Sequence, residues 1–146
     1  VKKCQNCGIL DTINPCKICT SDMRSTTTIC IVEDMADVWA FERSGYHKGL
    51  YHVIGGLLSA SKNFTEQDLK LNFLKQRIEK NNIQEIILAL SATIEGQTTA
   101  LVIKDSLESL KIKITQLAYG VPVGSEIHYL DDNTLGAALE SRKDLG

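Results

Sequence analysis

The sequence has no apolar stretch near the roughly 18 residues that a membrane-spanning helix needs. Its first residues, Val1-Lys2-Lys3-Cys4, lack the apolar core of a secretion signal. A soluble, unsecreted protein is the expectation. Internal repeats, low-complexity tracts and blocks of like charge are missing too. So are a G-x-x-x-x-G-K-[ST] phosphate loop, a G-x-G-x-x-G fingerprint and a G-x-S-x-G elbow. Nothing therefore indicates a nucleoside triphosphatase, a dinucleotide enzyme or an elbow-type serine hydrolase. Sixteen Lys plus Arg against eighteen Asp plus Glu leave a net charge of −2, which excludes a chain that is basic all round. What charge there is lies unevenly, with +2 on residues 1–24 and −4 on the rest. Contact with phosphates is therefore sought at the front, at Lys2, Lys3, Lys17 and Arg24.

The 146 residues suit one ordinary domain, or one domain with a small appendage. Four of the five cysteines fall in the first nineteen residues, as Cys4, Cys7, Cys16 and Cys19. Two C-x2-C pairs eight residues apart can place four thiolates around one tetrahedral Zn²⁺ at about 2.3 Å each. Gly8 follows the first pair and Pro15 precedes the second, as a tight knuckle requires. Two disulfides are the alternative, disfavoured in a reducing compartment. A redox-active C-x-x-C would need only one pair. Four sulfurs leave no open coordination position, so such an ion staples and does not catalyse. Cys30 sits in an apolar run and reads as packed core.

Behind the knuckle, strand and helix patterns alternate. Residues 28–33, 50–54, 85–90 and 112–119 read as strands, the third apolar enough for a central parallel strand. A helix follows the first strand, with Ala36, Trp39, Ala40 and Arg43 on one face and Gly45 as its stop. A capping-box-like start at residues 65–68 opens a second helix that buries Leu69, Phe73, Leu74 and Ile78. A third has Ala100, Ile103, Leu107 and Leu110 inward. Asp132, Asn133 or Thr134 caps a fourth, through Leu135, Ala138, Leu139 and Arg142. The expected fold class is α/β, a four-stranded, mostly parallel sheet flanked by helices.

In open α/β sheets, sites gather at the carboxyl ends of the strands. Glu33 ends the first strand, with Asp37 a helical turn on, and Glu95 follows the third. Together they suit Mg²⁺ or a basic partner, or are simply solvated acids in loops. Gly55-Gly56 and the G-V-P-V-G loop are turns without the lysine that an NTPase would supply. His47 and His52 flank the second strand and read as packed or surface residues.

Several motifs recur in a fixed order: the four-cysteine knuckle, I-C-I-V-E-x-x-x-D-V-x-A-F-E at 29–42, G-L-Y-H-V-I-G-G-L-L-S at 49–59, E-G-Q-T-T-A at 95–100, L-A-Y-G-V-P-V-G-S-E at 117–126 and T-L-x-x-A-L-x-x-R at 134–142. In this order they resemble the RecR family of bacterial recombination mediators, over essentially the whole chain. The resemblance implies a C4 zinc finger at 1–24, a Toprim domain at 25–122 and a C-terminal segment at 123–146 whose helix packs on the Toprim core or on a neighbouring subunit. Family members begin with a helix-hairpin-helix segment tied to DNA contact and ring assembly, so this chain is expected to be a fragment. Catalytic Toprim domains pair a Glu after the first strand with an Asp-x-Asp after the third. Glu33 matches the former, whereas Ser91-Ala92-Thr93 stands at the latter. A non-catalytic role is thus implied, with RecO-type and RecF-type partners, in loading a recombinase on gapped single-stranded DNA. Glu33, Asp37 and Glu95 would be the docking patch, one Zn²⁺ the cofactor, and a dimer or tetrameric ring the full-length assembly. The alternative is a degenerate Toprim enzyme holding Mg²⁺ on Glu33 and Glu95 for phosphoryl transfer.

Overall fold

A computed structural model describes residues 1–117 and 132–145 of the chain. At the front, β1 (Lys2–Lys3) and β2 (Leu10–Asp11) pair antiparallel and close the base of the knuckle. The β-branched run that follows becomes β3 (Thr28–Val32). Three more strands lie parallel to it or to each other: β4 (Leu50–Val53), β5 (Glu85–Leu88) and β6 (Lys113–Gln116). In register, Ile29 stands opposite Leu50 on one side and Ile86 on the other, and Ile86 stands opposite Ile114. The four expected parallel strands are therefore present. A fifth, β7 (Lys143–Asp144), joins antiparallel along β6, giving the order β4-β3-β5-β6-β7. Two charged residues carry no alternation of apolar and polar side chains, so nothing in the sequence marks this strand.

The helices begin and end where local chemistry directs. Asp34 caps α1 (Met35–Ser44) by accepting the Asp37 amide at 3.2 Å, and Gly45 ends it in the left-handed region. The capping box at Thr65 and Asp68 opens only a 3₁₀ turn (Glu66–Leu69). Lys70, at φ 52°, then breaks the path before α2 (Leu71–Lys80). The single helix expected here is thus two pieces. Thr93 caps α3 (Ile94–Leu107), accepting the Gly96 amide at 3.1 Å. The last helix is α4 (Asp132–Glu140). The side chains of Asp132, Asn133 and Thr134, its expected caps, lie outside the described residues.

Residues 29–32 have no solvent exposure, so the sheet must be covered on both faces. Ile29 and Ile31 point to a layer built from Leu74 and Ile78 of α2 and Ala100, Ile103 and Leu107 of α3. Cys30 and Val32 point to the other layer, which joins Val38 and Phe41 of α1, Leu135 and Leu139 of α4, and Cys4, Cys7, Ile9 and Cys16 of the knuckle. Two expected core residues lie outside. Trp39 is 63% exposed and Phe73 is 41% exposed. Helix α1 is apolar nearly all round, so its periodicity does not single out a face. Packing against the sheet selects Val38, Ala40 and Phe41.

Arg142 lies just past α4 and ties the C-terminal segment to the sheet. Its Nε and Nη2 donate to the two Glu85 carboxylate oxygens at 2.8 and 3.3 Å, and Thr115 Oγ1 donates to the same carboxylate at 2.8 Å. Burial raises the Glu85 pKa, but the arginine and threonine hydrogen bonds outweigh it and hold the group below its ordinary 4.5. Such a depressed carboxylate stabilises the fold fully above its unfolded pKa, and that contribution is lost as pH falls through the folded value. Arg142→Ala should therefore cost about 1–3 kcal/mol at pH 7 in denaturant unfolding, as expected for a charged hydrogen bond. The difference from wild type should shrink as the pH is lowered below 4.5, the ordinary value of the group.

Candidate functional site

The four knuckle cysteines converge, with every sulfur within 4.8 Å of the others. Cys7 Sγ lies 3.6 Å from Cys16 Sγ, and Cys4 Sγ lies 3.8 Å from Cys19 Sγ. Four sulfurs bound tetrahedrally at 2.3 Å would stand about 3.8 Å apart, so the set fits one metal ion. Backbone amides turn toward the sulfurs: Asn6 N and Cys16 N on Cys4 Sγ at 3.4 and 3.3 Å, Ile9 N on Cys7 Sγ at 3.4 Å and Cys19 N on Cys16 Sγ at 3.4 Å. Such donors favour thiolates. Without a metal the cluster favours one thiolate, at Cys19. A hydrogen bond from Cys7, and then the charge of Arg77, bring Cys19 down to about 6. The same hydrogen bond and burial push Cys7 up, and burial carries Cys16 to about 11. All five cysteines are free. Cys30 is sealed in the core, where burial pushes its thiol far up, in line with a packing role.

The knuckle is fastened to the sheet. Cys7 O accepts the Val53 amide of β4 at 2.6 Å. Gly8, at φ 86°, lies so close that a Cβ there would stand 3.0 Å from Val53 O. Arg77 of α2 bridges the two, donating to Tyr51 O at 2.7 Å and to His52 Nδ1 at 3.1 Å on β4, and reaching Cys19 Sγ of the knuckle at 3.8 Å. Burial, and then the charge of Arg77, hold His52 down to about 3, so its ring is neutral and accepts. The sequence reading missed Arg77. Its one signal is a cation in register with Leu74 and Ile78 on the buried face of α2.

Of the basic residues sought for phosphate contact, Lys2 and Lys3 are exposed on β1, and Lys17 is exposed with its Nζ 4.0 Å from Asp11. Arg24 is differently placed. It pairs with Glu42 Oε1, donates to Gly49 O at 2.8 Å and lies over the Tyr51 ring at 5.8 Å. Tyr51 Oη donates to Glu42 Oε2 at 2.6 Å, and His47 Nε2 donates to Leu50 O at 2.8 Å. This half-buried network holds the start of β4, and both histidines are packed, as expected.

The strand order reverses between β3 and β5, which makes the crevice at their carboxyl ends the switch point of the sheet. Glu33 follows β3 there and is half-buried, and Glu95 is exposed in the first turn of α3. Asp37 is 5% exposed, so it adds charge to this end of the sheet but little contact surface. Ser91 Oγ and Thr93 Oγ1 hydrogen-bond each other at 2.8 Å, and Thr93 also caps α3. Gly96 is obligatory here, because a Cβ would fall 2.1 Å from Ser91 O. Gln97 Nε2 donates to Ala92 O at 3.0 Å, and buried Thr99 accepts the Leu58 amide at 2.9 Å. The E-G-Q-T-T segment thus holds the loop after β5 through Gln97 and the segment after β4 through Thr99. Among the described residues, the four cysteines are the one group of three or more potential metal ligands brought together. The G-V-P-V-G loop lies outside the described residues.

A family profile for the Toprim domain matches residues 27–118, and one for the RecR C-terminal region matches residues 120–143. The chain is 49% identical to the recombination protein RecR of Rhizobium meliloti over 142 residues, covering 97% of this chain and 71% of that one. It is 48% identical to RecR of Parvibaculum lavamentivorans over 96% of this chain and 70% of that one. RecR of Rhizobium leguminosarum bv. trifolii is 49% identical over 97% and 71%. The chain belongs to the RecR family. Membership accounts for the pairing of a four-cysteine knuckle with a Toprim sheet. Among the described residues, no helix is long and apolar enough to cross a membrane. In this RecR-family chain the knuckle covers part of a sheet face, so loss of an ion held by the four cysteines should loosen β4. Stripping the ion with a thiol-compatible chelator, or Cys16→Ser, should speed hydrogen exchange at the Val53 amide while leaving β5 amides protected.

Proposed function

We propose that this chain is the zinc-finger and Toprim part of a non-catalytic recombinational repair mediator. It acts in the bacterial cytoplasm with RecO-type and RecF-type proteins to load a strand-exchange recombinase on gapped single-stranded DNA. The observation that carries the non-catalytic reading is the loop after β5. Where catalytic Toprim domains present two aspartates, Ser91 and Thr93 bond each other and cap α3. Their hydroxyls stabilise the loop and offer no carboxylate to Mg²⁺. The relatives' name, recombination protein, supports the biological setting.

Zn²⁺ is the ion that four cysteine sulfurs without an open position suit, and its role is to staple the knuckle. Glu33 and Glu95 at the switch point, backed by the charge of Asp37, form the docking face for a partner rich in Lys and Arg. Full-length assembly as a dimer or ring, and DNA contact through that assembly, complete the reading.

The test is a calorimetric titration with the RecO-type protein of the same organism. Glu33→Ala and Glu95→Ala should each weaken binding about tenfold, roughly 1.4 kcal/mol, with unfolding unchanged. Equal affinity in wild type and both variants would retire the docking face. Nicking of DNA that needs a divalent ion and disappears in Glu33→Gln would instead establish phosphoryl transfer.

For DNA, the exposed lysines are the candidates, since Arg24 is occupied by Glu42 and Gly49. On duplex DNA each phosphate contact adds about −0.9 to the slope of log affinity against log salt. Lys2→Ala and Lys3→Ala should each make that slope shallower by about this amount. Unaltered slopes in both would assign the contacts elsewhere.

A further inference from the structure

Arg77 is a cation in the core, and its surroundings are incomplete without an anion. Only 6% of the residue is exposed. A guanidinium does not deprotonate in a protein, so its charge has to be met where it lies. Two of its contacts are neutral, the Tyr51 carbonyl oxygen and His52 Nδ1. Among the described residues no carboxylate pairs with it. Its remaining contact is Nη2 to Cys19 Sγ, at 3.8 Å. The buried positive charge therefore faces a sulfur of the four-cysteine cluster, across 58 positions of sequence.

The cluster has the opposite need. Four thiolates around one divalent ion keep a net negative charge, and Cys4, Cys7 and Cys16 are buried. Amide donors spread part of that charge, but all of those amides come from the knuckle itself. Arg77 brings a full positive charge from α2, a helix of the opposite layer, and holds it with two further hydrogen bonds.

We infer that Arg77 is the counter-charge of the four-cysteine metal centre, so that retention of the ion depends on a side chain of the Toprim layer. The inference rests on the reading of the knuckle as a metal site. Arg77 acts as a positioning residue, through Cys19. It also makes the knuckle and the sheet one electrostatic unit, in which docking of one strengthens the other.

The experiment uses the zinc-loaded chain as wild type, Arg77→Met and Arg77→Lys. Elemental analysis first gives the metal content. Transfer of zinc to a chromogenic chelator then gives the release rate, and cobalt substitution gives the sulfur-to-metal charge-transfer band. Arg77→Met should release zinc at least tenfold faster and shift the cobalt band, with the circular dichroism of the sheet unchanged. Arg77→Lys, which keeps the charge, should stay within threefold of wild type. A folded Arg77→Met with the wild-type rate and band would overturn the inference, as would Arg77→Lys losing zinc tenfold faster. If Arg77→Met does not fold, the Arg77→Lys rate decides by the same limits. A wild-type chain that takes up no ion would remove the metal reading itself, and the inference with it.

Discussion

The central strand of this sheet has no wet side. Ile29, Cys30, Ile31 and Val32 alternate between two faces and are sealed on both, so two complete layers have to lie against them. Helices α2 and α3 supply one layer. On the other, α1 and α4 leave part of the cover to Cys4, Cys7, Ile9 and Cys16. The knuckle is therefore a portion of the core that happens to be folded around sulfur. Four apolar side chains in residues 4–19 would not order that segment by burial alone, and an ion held by the four sulfurs would add what they lack. Its position over the face follows from the need of β3 for cover.

That frame was legible in the sequence to the extent that its signals are local. Cysteine spacing marks the knuckle, and β-branched runs mark β3 to β6. Gly45 marks the end of α1. What escaped depends on long-range packing. The inward face of α1 is chosen by the sheet, since Trp39 and Phe41 are equally apolar candidates in the sequence. Lys70 breaks the path into α2 although it is a good helix former, because its amide closes the 3₁₀ turn on Gln67 O and its backbone turns left-handed. Strand β7 exists only because β6 offers it a partner. The same limit applies to the candidate site. The spacing of the cysteines is visible, as are the acids after β3 and β5. The partners of Arg24 and Arg77 are distant in sequence, and nothing local assigns them.

In the function proposed above, the Toprim fold is kept without Toprim chemistry. The crevice between β3 and β5 is where such a sheet places a reactive site, and its architecture is retained. Within it, the hydroxyls of Ser91 and Thr93 and the side chain of Gln97 fix the loop after β5, and Thr99 holds Leu58 of the segment after β4. Of the acids at this end of the sheet, Glu33 is half-buried and Glu95 is exposed in the first turn of α3. A preformed, rigid loop carrying charge suits recognition, because little conformational freedom is lost when a partner binds.

Open sheets end in strands whose outer amides and carbonyls invite another strand. Here each margin is already occupied by a piece from outside the parallel core. On one side, Cys7 O takes the Val53 amide and Arg77 takes the Tyr51 carbonyl. On the other, β7 lies along β6, and Leu145 N continues the ladder to Ile114 O at 2.9 Å. Stacking of copies through β-ladders is thereby discouraged, and so is capture of an extended peptide as an added strand. In a chain whose relatives are named recombination proteins, this leaves any self-association or docking to surfaces that side chains can discriminate. The knuckle and the tail are, in that sense, the guards of the sheet's two borders.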